Sequence, residues 1–203
     1  MTGATRAPRP AGRPRSQEAD AAILAAALDL LIELGAQQVS IEQVARRAGV
    51  TRATVYRRFA DKTALLVRAL EWNAHAYNPG FTGWRDVEDM IADWAAYLSV
   101  PRHRRLLRRL TGSIDDYPEL MATYRPLRGG QGTAAVDGIL RQARDAGRLP
   151  QDADLHAVQE ILRGAVFNVV QTAEDDAERI RAYFMTILKQ TGYRAVTTDR
   201  ERI

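Results

Sequence analysis

The chain of 203 residues contains no cysteine, which removes disulfides and thiolate chemistry and suits a reducing compartment. It has no apolar run near the ~18 residues that cross a bilayer, so no transmembrane helix is expected. The first sixteen residues hold proline, glycine and arginine but no apolar stretch, unlike a secretory signal. A cytoplasmic protein is therefore the expectation. Histidine is scarce: His75, His103 and His156 are far apart and lack metal-ligand spacing. HExxH, GxSxG, GxxxxGK(S/T) and GxGxxG are all missing, and with them common signatures of hydrolases, nucleotide enzymes and dinucleotide oxidoreductases. Asp115-Asp116 and Glu174-Asp175-Asp176 fall at predicted helix ends, where carboxylates serve better as caps than as acid–base pairs. Neither an enzyme nor a bound cofactor or metal is expected.

What is present is an ordinary globular balance, 46% hydrophobic and 27% charged, with the charge unevenly placed. Residues 1–62 hold ten Lys/Arg against six Asp/Glu, while the remainder is balanced at 19 against 19. Basic charge confined to one region is the electrostatic footprint of a polyanion partner, or else a solvated basic surface.

Helical periodicity runs through the chain and no stretch alternates with period two, so the fold class is all-α. Residues 1–16 read as a flexible basic arm, with Pro8, Pro10, Pro14 and Gly12 opposing a helix. A helix is predicted over Gln17–Leu34, stopped by Gly35. Ser40 and Gln43 form a capping box for a short helix to Ala48, which Gly49 ends. Thr51 caps a third helix to Phe59, and Asp61 a fourth towards Ala76. After the Asn78-Pro79-Gly80 break, helices are expected over Trp84–Leu98, Arg102–Ile114, Pro118–Ala146 with a potential interruption at Gly129-Gly130, Asp154–Thr172, and a last one opened by Asp175 or Asp176 and reaching Gln190. The organisation expected is a 1–16 arm, a 17–78 head, a 79–192 body and a 193–203 polar tail.

The chemistry concentrates in Ser40–Lys62, SIEQVARRAGVTRATVYRRFADK. Two short helices meet at a turn where Gly49 permits positive φ. Ala45 is small at the crossing, and Val44, Ala48, Val50 and Val55 lock the pair. These are the requirements of a helix-turn-helix whose second helix lies in the major groove. That helix offers Arg52, Ala53, Thr54, Tyr56, Arg57 and Arg58. Arginine can bridge guanine with two hydrogen bonds, and hydroxyls such as those of Thr54 and Tyr56 suit phosphate. A packed hairpin with a solvated arginine face is the plainer alternative.

From about Ala22 to Leu70 the chain resembles the TetR-type (TetR/AcrR) regulators. The matching pieces are Ile23-Leu24-Ala25-Ala26-Ala27, Gly35, Ser40-Ile41-Glu42-Gln43-Val44-Ala45, Gly49-Val50-Thr51, Thr54-Val55-Tyr56-Arg57-Arg58-Phe59, Lys62 and Leu65-Leu66. The resemblance implies nine or ten helices, a homodimer, an operator with two-fold symmetry and a ligand pocket in the body. It implies that Arg52 and Ala53 face bases, and that Thr54, Tyr56, Arg58 and Lys62 hold phosphates. Gln43, Arg47, Thr51 and Arg57 complete the candidate contacts on the head. Arg13 and Arg15 in the arm are candidates for an adjacent minor groove.

The body is less explicit. Leu155, Ile161, Leu162, Val166 and Val169, with Ile180, Phe184 and Ile187, are candidates for a four-helix dimer interface, though one face of each helix must also meet the monomer's own core. Trp84, Met90, Trp94, Tyr97, Met121, Tyr124, Phe167, Asn168 and Gln171 are candidates for a mostly apolar ligand pocket, with ordinary core as the alternative. Arg102, Arg104, Arg105, Arg108 and Arg109 could attract an anion or form a solvated face paired with acids. The expected function is a DNA-binding repressor, homodimeric on double-stranded DNA and released by a small effector. A DNA-binding regulator or architectural protein without an effector is the alternative.

Overall fold

The computed structural model describes the backbone of residues 13–76 and 83–195, and the side chains of 17–74, 83–124 and 133–195. Among these residues there is no strand. In chain order the elements are α1 (Arg13–Leu34), a 3-10 turn (Ala36–Gln38), α2 (Ile41–Arg47), α3 (Arg52–Tyr56), α4 (Lys62–Ala76), α5 (Val87–Ser99), α6 (Pro101–Thr111), α7 (Pro118–Asp145), α8 (Leu155–Gln171) and α9 (Ala177–Gln190).

Several ends differ from expectation for local reasons. α1 starts at Arg13 rather than Gln17, because a proline in the first turn gives up no intrahelical hydrogen bond. α3 stops at Tyr56, leaving Phe59 beyond the helix yet 9% exposed. α5 begins at Val87, where the Asp86 carboxylate accepts from the Asp89 amide at 2.8 Å. The α7 backbone is one helix through Gly129-Gly130.

α1 is buried on most of its surface, with Ile23, Ala27 and Leu31 at 0% exposure. It packs against α2, α4 and α6. The core around it takes in Val44, Val55, Leu65 and Leu66 from the head, Leu106 and Leu110 from α6, and Leu120 and Tyr124 from α7. A second core lies between α5, α7, α8 and α9, centred on Met90, Ile91, Leu140, Leu162 and Phe184. Leu107 packs against both cores. The packing therefore does not part at residue 78: α6 and the start of α7 complete the head's core.

The arginine run proves to be the joint between these cores. Arg102 pairs with Asp29 of α1 at 2.5 Å. Arg109 donates to the Ile32 and Glu33 carbonyls near the end of α1, at 3.4 and 2.7 Å. Arg108 donates to Val170 and Thr172 at the end of α8, at 3.1 and 3.3 Å. Arg104 donates to Leu98 in the last turn of α5. Carbonyls at a helix C-terminus lack intrahelical donors and carry partial negative charge, so they are natural acceptors for guanidinium groups. Only Arg105 of the run is simply solvated.

The polar tail expected from residue 193 begins inside the fold. Tyr193 is 3% exposed; its hydroxyl donates to Glu88 at 2.9 Å, and its ring lies 4.9 Å from the Arg148 guanidinium. Arg148 is also ion-paired with Glu88. Burial pushes the Tyr193 phenol far above its ordinary 10.0, and the bond to Glu88 pushes it the same way. A group with a raised folded pKa stabilises the fold fully below its unfolded value and loses that contribution as pH rises towards the folded one. Tyr193→Phe should thus cost about 1–2 kcal/mol at pH 7. The difference from wild type should narrow above pH 10, when only the native tyrosine must keep its proton. Urea unfolding of both proteins at pH 7, 9 and 11 checks this; a gap constant with pH would refute it.

Candidate nucleic-acid interface

The reading head is built by local rules. The Ser40 hydroxyl accepts from the Gln43 amide at 3.2 Å while the Gln43 side chain accepts from the Ser40 amide at 2.7 Å. α2 ends in a turn where Gly49 has φ of 67° and the Val50 amide donates to the Ala45 carbonyl at 3.0 Å. Thr51 then caps α3 through the Thr54 amide at 3.2 Å. Val44 and Val55, both at 0% exposure, and Ala45 clamp the two helices together. A helix of only five residues is marginal alone, so caps and clamp are what hold α3.

Val55 faces inward, and Thr51, Arg52, Ala53, Tyr56 and Arg57 face solvent, with Thr54 partly covered. Tyr56 is 51% exposed. Arg57 and Arg46 form no ion pair among the described residues. Arg46, not among the residues expected from sequence, is exposed beside Arg47, which pairs with Glu33 of α1 at 2.8 Å. The signal lay in spacing: Arg46 stands one turn after Glu42, and Glu42 faces α3 by pairing with Arg52 at 2.5 Å.

Other candidates turn away from this face. Gln43 is occupied by the capping box. Arg58 pairs with Asp20 of α1 and donates to the Thr54 carbonyl at 3.2 Å, so it fastens α3 to α1 instead of reaching for phosphate. Lys62 donates to the Ala36 and Gln37 carbonyls at 2.9 and 3.3 Å and to the Tyr117 hydroxyl at 2.8 Å. Its ammonium also lies 4.9 Å from the Tyr117 ring. It is bound between the head and the start of α7, where sequence reasoning expected a phosphate contact. The side chains of Arg13 and Arg15 lie outside the described residues.

The Glu42–Arg52 pair makes a sharp expectation. It is exposed on both sides, and such pairs are worth about 0–1 kcal/mol. Glu42→Gln removes an acid from beside the reading helix and frees Arg52. DNA affinity should rise roughly two- to fivefold at low salt, the factor equivalent to that energy, and the gain should shrink as salt screens it. Fluorescence anisotropy across a salt series measures it; equal or weaker binding by the variant counts against this placement.

The body redistributes the remaining candidates. Trp84 and Trp94 meet edge to face at 6.4 Å, and Trp94 meets Phe184 at 6.0 Å. With Met90 they belong to the second core, and Tyr97 stacks on His103 at 4.0 Å. Met121 and Tyr124 pack with the first core. Phe167, Asn168 and Gln171 lie on the surface. Among the described residues, the expected pocket residues are divided between the two cores and the surface. A shallow cleft between α7 and α8 is lined by Thr133, Ala134, Asp137, His156 and Gln159, none of them expected. Of the interface candidates, Leu162, Val169, Ile180 and Phe184 are buried within the chain's own core. Leu155, Val166 and Ile187 are partly buried, and Ile161 is 47% exposed.

Comparison with known proteins gives a consistent picture. A family model described as bacterial regulatory proteins, tetR family, matches residues 23–69. A second, described as a tetracyclin repressor-like C-terminal domain, matches residues 82–186. YdeS of Bacillus subtilis (strain 168), an HTH-type transcriptional regulator, is 27% identical over 158 residues, covering 77% of this chain and 80% of YdeS. The DNA-binding transcriptional repressor TetR of Mycobacteroides abscessus is 29% identical over 141 residues, covering 70% of this chain and 68% of that protein. Among solved structures, Salmonella enterica GusR superposes with a TM-score of 0.68 at 16% identity, covering 85% of this chain and 93% of GusR.

Proposed function

Since the chain belongs to the TetR family of bacterial regulatory proteins, and so is a DNA-binding transcriptional regulator and not an enzyme, we propose that it is a repressor which binds a two-fold symmetric operator as a homodimer and lets go when a small, mostly apolar molecule enters the body. The observation that carries the DNA half is the solvent face of α3. Arg52, Ala53, Tyr56 and Arg57 share it on a helix fixed by caps, a clamp and the Arg58–Asp20 tie. Such a face fits a major groove, its first residues towards base edges and its flanks towards phosphate.

The homodimer reading draws on α8. Ile161 and Phe167 are 47% and 54% exposed, with the exposed Gly164 between them on adjoining turns. Large apolar side chains left outside a well-filled core suit a second copy, and two copies set two reading helices about 34–36 Å apart, one turn of DNA. The repressor reading is supported by the named function of the Mycobacteroides relative. Control by an effector would run through α6, whose arginines hold the ends of α1, α5 and α8 together. One helix touching both cores is the physical element that coupling between two sites requires. Regulation without an effector draws on the scattering of the expected pocket residues. The work would take place in the cytoplasm, beside the chromosome; no helix among the described residues is long and apolar enough to cross a membrane.

Sequencing of genomic fragments retained by the purified protein tests the reading. The fragments should share an inverted repeat, protected as two half-sites about one turn apart. A strictly monomeric protein indifferent to palindromic duplexes at low salt refutes it.

A further inference from the structure

Arg104 is the anomaly of the fold. It is 3% exposed, its Nη1 donates to the Leu98 carbonyl, and its Nε is buried without a partner. No carboxylate pairs with it among the described residues. Two other enclosed arginines are treated differently: Arg58 and Arg148, with 18% and 19% of the side chain exposed, are ion-paired with Asp20 and Glu88. The most deeply placed of these three guanidinium groups thus has one backbone acceptor, the Leu98 carbonyl, and a buried Nε without a partner. A buried charge without a counter-charge is costly. Its neighbour one turn on, Arg108, also ends on carbonyls, so the local excess is positive.

A side chain that costs stability and makes no compensating pair is the usual mark of a binding group. The complement of a planar fork is a carboxylate, bound through two parallel hydrogen bonds. Leu98, whose carbonyl Arg104 meets, is a buried member of the second core, and Leu107, three residues on, packs against both cores. We propose that Arg104 is the anion-recognising group of the effector site and that the effector is a small organic carboxylate with an apolar body. This rests on the effector-controlled reading above and names the chemistry of its ligand. It also puts the ligand on α6, between the bond that ends α5 and the bonds that end α1.

Thermal unfolding of the full chain at constant ionic strength tests it, with benzoate, phenylacetate and octanoate each set against its primary amide. Saturating carboxylate should raise Tm by about 2–4 °C or more, as ligands that bind only the folded state do; the amides should not. Arg104→Met should abolish the rise, and ligand-free R104M should melt higher than wild type because the unmatched charge is gone. A merely structural cap of α5 would give the opposite sign. The inference is overturned if R104M melts lower, or if the acids shift wild type no more than the amides. Operator retardation separates the two readings. Release by neutral compounds alone keeps effector control and removes the anion. A rise in Tm through Arg104 with undiminished DNA binding keeps the site and removes the control.

Discussion

Phe167→Glu should yield a folded monomer whose operator affinity is lower by roughly 10²–10⁴, the advantage that linking two binding modules ordinarily confers. Phe167 is 54% exposed and belongs to neither core, so the substitution leaves the monomer's packing intact. In a dimer the same ring would be desolvated at the centre of the shared surface, where aromatic residues carry a disproportionate part of the energy. Two buried glutamates facing each other across a two-fold axis would repel each other without counter-charge. Sedimentation at micromolar concentration, with circular dichroism to verify helicity, separates dissociation from unfolding. A dimeric, fully active variant would place the interface off this face of α8.

The second large effect concerns base reading. Arg52→Ala should weaken the cognate operator by about 1–3 kcal/mol, roughly 5- to 150-fold, and flatten preference at one base pair in each half-site. Random duplex should be bound almost as before. Arg52 suits this role because it opens α3, where helix-turn-helix proteins meet base edges, and because its bond to Glu42 is exposed and easily exchanged for guanine. Arg57→Ala is the internal contrast. It should weaken every sequence alike and lower the slope of log affinity against log salt by about 0.9, the signature of one phosphate contact. Competition assays on single-base operator variants distinguish the two. Identical loss of preference in both variants would end this division of roles.

How much of this was legible in the sequence depends on the range of each interaction. The capping box at Ser40, the turn at Gly49 and the caps at Thr51 and Asp61 are set by residues within a few positions of one another, and all were readable. Arg58 and Lys62 were assigned outward because their partners are distant in the chain: Asp20 lies 38 positions away and Tyr117 lies 55. The arginine run of α6 was opaque for a related reason. Apart from Asp29, which pairs with Arg102 from 73 positions away, its acceptors are backbone carbonyls, which have no letter, and nothing local says which helix ends will meet. On α8 the pattern held more than was extracted. Leu155, Val158, Leu162, Ala165 and Val169 recur at three- and four-residue steps and form the inward stripe; Ile161 and Phe167 fall off it, and those are the two left outside. Arg104 was undistinguished among its neighbours, because only burial separates it from them.

The joint made by α6 also decides what salt does to this protein. Phosphate contacts are lost as cations re-condense on DNA, and exposed ion pairs weaken with screening. The Arg108 and Arg109 guanidinium groups end on uncharged carbonyls, in part through partly covered bonds, so, unlike the exposed Arg102–Asp29 pair, they offer no carboxylate for counterions to screen. A protein washed from DNA by concentrated chloride therefore comes away with its head still registered on its body. Elution by salt and the proposed release by a ligand would be two distinct departures, and only the second would pass through α6.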